Sequence, residues 1–114
     1  MRYALLICAE ESFLSDPPGG DDARMKGYLA FQEEMAARGV LLGGERLQPM
    51  ATATTVRVRH DDVVIADGPF AETKEQMAGF YLVDCKDLDE AIEVAAKIPA
   101  ALYGSIEVRP IWEM

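Results

Sequence analysis

From Arg2 to Ala9 the chain reads RYALLICA, apolar at odd and even positions alike, with Tyr3, Leu5 and Ile7 on one side and Ala4, Leu6 and Cys8 on the other. Side chains alternate across a strand, so this spacing predicts a β-strand that needs cover on both faces. Glu10 and Glu11 end the apolar run, and no small-residue cleavage site follows, so the segment reads as a strand and not as a signal peptide. The next residues, ESFLSDPPGG, have the Pro and Gly content of an irregular surface loop.

The period then changes from two to 3.6. Met25, Tyr28, Leu29, Gln32, Met35 and Ala36 recur at helical spacing, with Phe31 widening the stripe. Asp21 or Asp22 is the expected N-cap, and Arg38-Gly39 the expected end, because Gly suits the left-handed position after a helix. VLLGGERLQP follows as a short strand, entered through Gly43-Gly44 and stopped by Pro49. ATTVRVR and VVIAD, separated by His60-Asp61-Asp62, predict a peripheral hairpin with one solvated face. After the turn DGPF comes AGFYLVDC, a largely buried strand. Asp87 and Glu90 resemble a capping box, ahead of a second helix with Leu88, Ala91, Ile92, Ala95 and Ile98 as its apolar stripe and Pro99 as its stop. SIEVRPIW closes the chain as a strand with Ile106, Val108, Pro110 and Trp112 alternating against Glu107, Arg109 and Ile111.

With the hairpin set aside, the order is strand, helix, strand, strand, helix, strand. That is the split βαβ pattern of an α+β, ferredoxin-like βαββαβ sandwich carrying an inserted β-hairpin. Two helices can clad one face of such a sheet only, yet the first strand is apolar on both. A second copy is the economical cover, since a twofold contact uses one self-complementary patch, and the expectation is a homodimer of the α/β-barrel type.

Composition sharpens this outline. The chain of 114 residues, half of them apolar, forms one domain with a sizeable core. Its net charge of −9 disfavours nucleic acid and anionic membrane surfaces, which are bound through Lys and Arg. No run approaches the about 18 apolar residues that span a bilayer. Cys8 and Cys85 sit in apolar runs and read as free buried thiols, which suggests a reducing, cytoplasmic setting.

The catalytic inventory is poor. His60 is the single histidine and lies at the expected hairpin tip, where a solvated turn residue is the simpler reading. The chain has no HExxH, CxxC or G-x-S-x-G motif, so neither a metal nor a cofactor is expected. Gly19-Gly20 is followed by Asp21-Asp22, whose carboxylates would repel a phosphate, and Asp61-Asp62 would need further oxygen ligands to hold a cation.

The run DGPFAETKEQ stands apart. Asp67 can accept from amides two residues on, Gly68 permits positive φ, and Pro69 fixes its own φ, which together make a rigid corner. Phe70, directly after the corner, either plugs the core or lines a pocket. Lys74 is the residue there suited to an acidic substrate, and Tyr28 offers a ring to the core with a hydroxyl that needs a partner. Glu107 and Arg109 share one face of the last strand.

DGPFAETKEQMAGF, preceded by GVLLGGERLQP and followed by DLDEAIEVAAKIP and SIEVRPIWEM, resembles the DGPF subgroup of the YCII-related family over nearly the whole chain. The resemblance implies a ferredoxin-like fold, a dimeric α/β barrel and a bacterial cytoplasmic setting. Some relatives are proposed to act through a histidine on the first helix with a nearby aspartate, and one branch contributes to chloroaromatic breakdown. That histidine position falls on Tyr28 here, so the proposed acid/base group is replaced by a phenol, a poor base near its ordinary pKa of about 10. DGPF-type domains also occur near or fused to sigma factors of the extracytoplasmic-function type.

Two functional expectations follow. The first is a small-molecule-binding dimer with its pocket between the sheet and the first long helix and the DGPF loop at the rim. Asp67 is then the candidate base, Lys74 its electrostatic partner, and Tyr28, Gly68, Pro69 and Phe70 the candidate binding residues. The second is a non-catalytic regulatory module that contacts a sigma factor. A concave cavity reaching Asp67 discriminates for the first, and a closed, fully packed interior between sheet and helices for the second.

Overall fold

The computed structural model describes residues 1–113, so Met114, the last position of the C-terminal motif, lies outside the described residues. Strands β1 (Arg2–Ala9), β2 (Leu41–Arg46), β5 (Gln76–Asp84) and β6 (Ser105–Pro110) form one antiparallel sheet in the order β2-β5-β1-β6. Strands β3 (Thr54–Arg59) and β4 (Asp62–Asp67) form a separate two-stranded sheet. Three α-helices, α1 (Glu11–Ser15), α2 (Gly20–Ala37) and α3 (Leu88–Ala96), complete a mixed α+β architecture compatible with the ferredoxin-like arrangement.

The core lies between the sheet and the helices. Tyr3, Leu5 and Ile7 of β1 and Tyr81 and Val83 of β5 are buried against Phe31 and Met35 of α2 and Ala91, Val94 and Ala95 of α3. The alternate β1 residues, Ala4, Leu6 and Cys8, face the other way and are half-buried, as are Phe80 and Leu82 on β5. Glu107 and Arg109 pair on this second face, opposite Leu6 and Ala4. The molecule is a slab of 48 × 40 × 18 Å.

Helix boundaries follow backbone accounting. At the end of α2, Val40 N–H donates to Met35 O at 3.1 Å and Gly39 N–H to Ala36 O at 3.0 Å, with Gly39 at φ +73, a Schellman closure at the expected residues. Asp87 caps α3 by accepting from Glu90 N–H at 2.9 Å. Glu90 reaches back to Lys86 N–H, one residue before the cap.

Four local expectations are corrected. The N-cap of α2 is Gly19, not an aspartate, because Gly19 and Gly20 both take positive φ (+84 and +88) and turn the chain there. Asp21 and Asp22 fall in the first turn, still favourably placed at the positive end of the helix. The segment read as irregular contains α1, whose first turn closes through Phe13 and Leu14 N–H on Glu10 O. The apolar stripes are displaced in part: Met25 and Leu29 on α2 and Leu88 and Ile92 on α3 are exposed and Val94, outside the expected stripe, is buried, while Phe31, Met35, Ala91 and Ala95 are buried as expected. The hairpin turns through His60 (φ 51) and Asp61 (φ 66), both left-handed as a two-residue type I′ turn requires, but its apolar face of Val56, Val58, Val63 and Ile65 is exposed, while Thr55 and Arg57 on the other face are half-buried.

Candidate functional site

Buried side chains on α2 are confined to its second half, Phe31 and Met35. Toward its N-terminus the helix stands off the sheet, and the gap is a cavity of about 730 Å³ bounded by α2, β5, the end of β2 and the Leu47–Met50 segment. Tyr28 and Gln32 line it from the helix, Tyr81 from the sheet, and Tyr103 from the chain after the turn at 99–102. The Phe31 and Tyr81 rings lie 4.9 Å apart, which fixes the Tyr81 ring at the inner wall. Gly44 lets β2 approach β5 here, since a Cβ at that position would stand 2.5 Å from Phe80 O and 2.6 Å from Tyr81 Cδ1.

Gln32 Nε2 donates to the Tyr81 hydroxyl at 2.8 Å. Arg24, on the same wall, donates to Leu14 O and to Asp21 Oδ1, both at 2.6 Å. Burial pushes the Tyr28 phenol up to about 12, helped by the neighbouring Tyr103 and Tyr81 and opposed by a backbone hydrogen bond at Ala100 and by Arg24. Burial also raises Tyr81, against the opposing hydrogen bond from Gln32. Both phenols therefore stay protonated at neutral pH, and can donate hydrogen bonds but not act as bases.

The DGPF turn stands beside a second, shallower hollow. Pro69 and Phe70 line it with Ala71 and Gln76, and it shares the wall Leu47–Met50 and Met77 with the larger cavity. Gly68 takes φ +89, its N–H donates to Ala53 O at 2.7 Å, and Thr55 Oγ1 donates to Gly68 O at 2.7 Å, which pins the corner to the base of the hairpin. Gln76, buried, donates through Nε2 to Ala71 O and to Thr73 O and Oγ1, so the loop after the corner is wound around one amide.

Of the residues singled out from the sequence, Tyr28 lines the larger cavity, Pro69 and Phe70 the shallow hollow, and Asp67, Gly68 and Lys74 neither. Phe70 does not plug the core, being 80 % exposed. Lys74 is paired with Glu10 at 3.2 Å. Asp67 is exposed at the end of β4, across from Thr54. Gln32 and Tyr81 carry the polar centre of the cavity without having been singled out. The available signal was a glutamine inside an apolar helical stripe, which has to find a polar partner. Cys8 and Cys85 are free thiols, half-buried and buried. Among the described residues no helix is long and apolar enough to cross a membrane.

A small mixed α+β domain with a tyrosine-lined hollow between its sheet and its long helix is the class these features define. The family model for the YCII-related domain matches residues 1–114, and the chain belongs to that family. It is 42 % identical to Uncharacterized protein R00369 of Rhizobium meliloti (strain 1021) over 114 aligned residues, which cover 97 % of this chain and 92 % of the relative.

Proposed function

We propose that the protein binds a small molecule in the cavity between α2 and the sheet, as a homodimer whose subunits meet through the open sheet face. The cavity carries this reading: it is large enough for a metabolite, mostly apolar, and holds a few convergent polar groups. Half-buried Ala4, Leu6, Phe80 and Leu82 on the unclad face motivate the dimer, and the Asp67–Phe70 run motivates membership of the DGPF subgroup. Two free thiols agree with a cytoplasmic setting. The β3–β4 hairpin is then an insertion into the ferredoxin-like frame.

In this reading Tyr28 is a wall and hydrogen-bond donor, and the DGPF turn is the rim, reaching the cavity through the shared segment Leu47–Met50. Asp67 remains the candidate base, as the carboxylate next to Gly68 in that turn. Lys74 would have to leave Glu10 to assist it. A metabolite screen on the wild type, repeated on Tyr28→Phe and Asp67→Asn, tests the assignment. Loss of a hit in Tyr28→Phe supports the cavity, loss in Asp67→Asn supports the rim, and hits unchanged in both remove the site. Sedimentation that finds a monomer at micromolar concentration removes the dimer. A hollow rather than a packed interior favours ligand binding over the sigma-factor module, although Asp67 lines neither hollow.

A further inference from the structure

We infer that the cavity takes an uncharged planar aromatic ligand bearing a hydrogen-bond acceptor beside a donor on one edge, the pattern of an aromatic amide. The inference rests on the ligand-binding reading above and specifies its chemistry.

The polar floor sets the edge. Tyr81 is buried, 7 % exposed, and its oxygen already accepts from Gln32 Nε2. A phenol keeps one O–H to give, and an amide oxygen keeps two lone pairs. Among the described residues neither the Tyr81 proton nor Gln32 Oε1 has a protein partner. A donor and an acceptor thus sit side by side, joined through one 2.8 Å bond, on a wall of the cavity. A ligand edge that presents a carbonyl to Tyr81 and an N–H to Gln32 satisfies both, and a site built this way penalises ligands that leave either unpaired.

The charges exclude ions from that floor. The charged residues of the lining are Glu11, Asp21, Arg24, Glu45 and Arg46. Arg24 keeps its charge, which the Tyr28 phenol feels, but its guanidinium is engaged by Leu14 O and Asp21 rather than by Gln32 or Tyr81. Asp21, Glu45 and Arg46 are exposed and Glu11 is half-buried, so none supplies a buried counter-charge beside Gln32 and Tyr81. A carboxylate or ammonium placed there would lose its hydration without a partner. The walls choose the shape: rings of Tyr28 and Tyr103 and thioethers of Met25, Met50 and Met77 line the same space, surfaces suited to a flat π-system.

Benzamide, benzoate and benzamidine share one shape and differ in charge. Each is titrated into isotope-labelled protein while backbone amide NMR shifts are followed. Benzamide is expected to shift the amides around Gln32 and Tyr81 saturably and to bind more tightly than either ion. Gln32→Leu and Tyr81→Phe should each weaken it about five- to tenfold, the cost of one neutral hydrogen bond. Gln32→Glu, a near-isosteric change on a half-exposed residue, should transfer the preference to benzamidine. Tighter binding of benzoate or benzamidine by the wild type at those amides overturns the uncharged class while leaving the cavity as a ligand site. An unchanged preference in Gln32→Glu overturns the role of Gln32. If no probe shifts cavity amides, the ligand-binding reading falls and this inference with it.

Discussion

The four-stranded sheet and the β3–β4 hairpin are built from the same material and end in opposite environments. Leu5 and Val83 are fully buried, whereas Val63 and Ile65, in equally regular antiparallel pairing, are 64 % and 65 % exposed. The difference is what lies above them. Helices α2 and α3 cover one face of the large sheet, while the bonds at the hairpin's base, Gly68 N–H to Ala53 O and Thr55 Oγ1 to Gly68 O, join its own two ends. A two-stranded ribbon alone is marginal in water. Alternation therefore reports which residues share a face, and only the neighbouring elements decide which face is dry.

Substitutions break this comparison in order of size. Leu5→Ala should cost about 2–5 kcal/mol in urea unfolding, a buried leucine leaving a cavity, while Ile65→Ala stays within about 0.5 kcal/mol for an isolated chain. Equal losses at the two sites would mean the hairpin is covered as thoroughly as the core. Gly44→Ala should cost about 1–3 kcal/mol, because its methyl would overlap Phe80 O and the Tyr81 ring. Asp87→Ala, which uncaps the helix that clads the sheet, should cost about 1 kcal/mol by the same measurement.

A change of pH probes the wall between these regions. The folded chain holds the Tyr28 proton more tightly than the unfolded chain, so the associated stability is complete below pH 10 and is lost as pH rises toward about 12. The slope is shallow because the residue is only half-buried, and Tyr28→Phe should flatten it in denaturation series across that range. The smallest effect belongs to Lys74→Ala. Its pair with Glu10 joins an exposed ammonium to a half-buried carboxylate, so unfolding should shift by less than about 1 kcal/mol, and less still in high salt.

Much of the frame was legible because the period of the pattern is a local property. The β1 alternation, the Arg38-Gly39 closure of α2, the Asp87 cap and the hairpin tip at His60 all lie where spacing and turn chemistry put them. What escaped depends on longer-range geometry. The lean of α2 away from the sheet left Met25 in solvent and opened the cavity at Tyr28, and nothing in a 3.6-residue repeat encodes a lean. Gln32 and Tyr81 are 49 positions apart and acquire meaning only when β5 passes beneath α2. Phe70 could be read from the sequence as aromatic and rigidly preceded, but not as facing outward.

A body only 18 Å deep has room for one layer of strands and one of helices, so half of its sheet is never clad from within. If a twin supplies the missing layer, the thermal midpoint becomes a function of how much protein is in the tube, climbing with concentration by mass action. A lone slab would melt at the same temperature at any dilution.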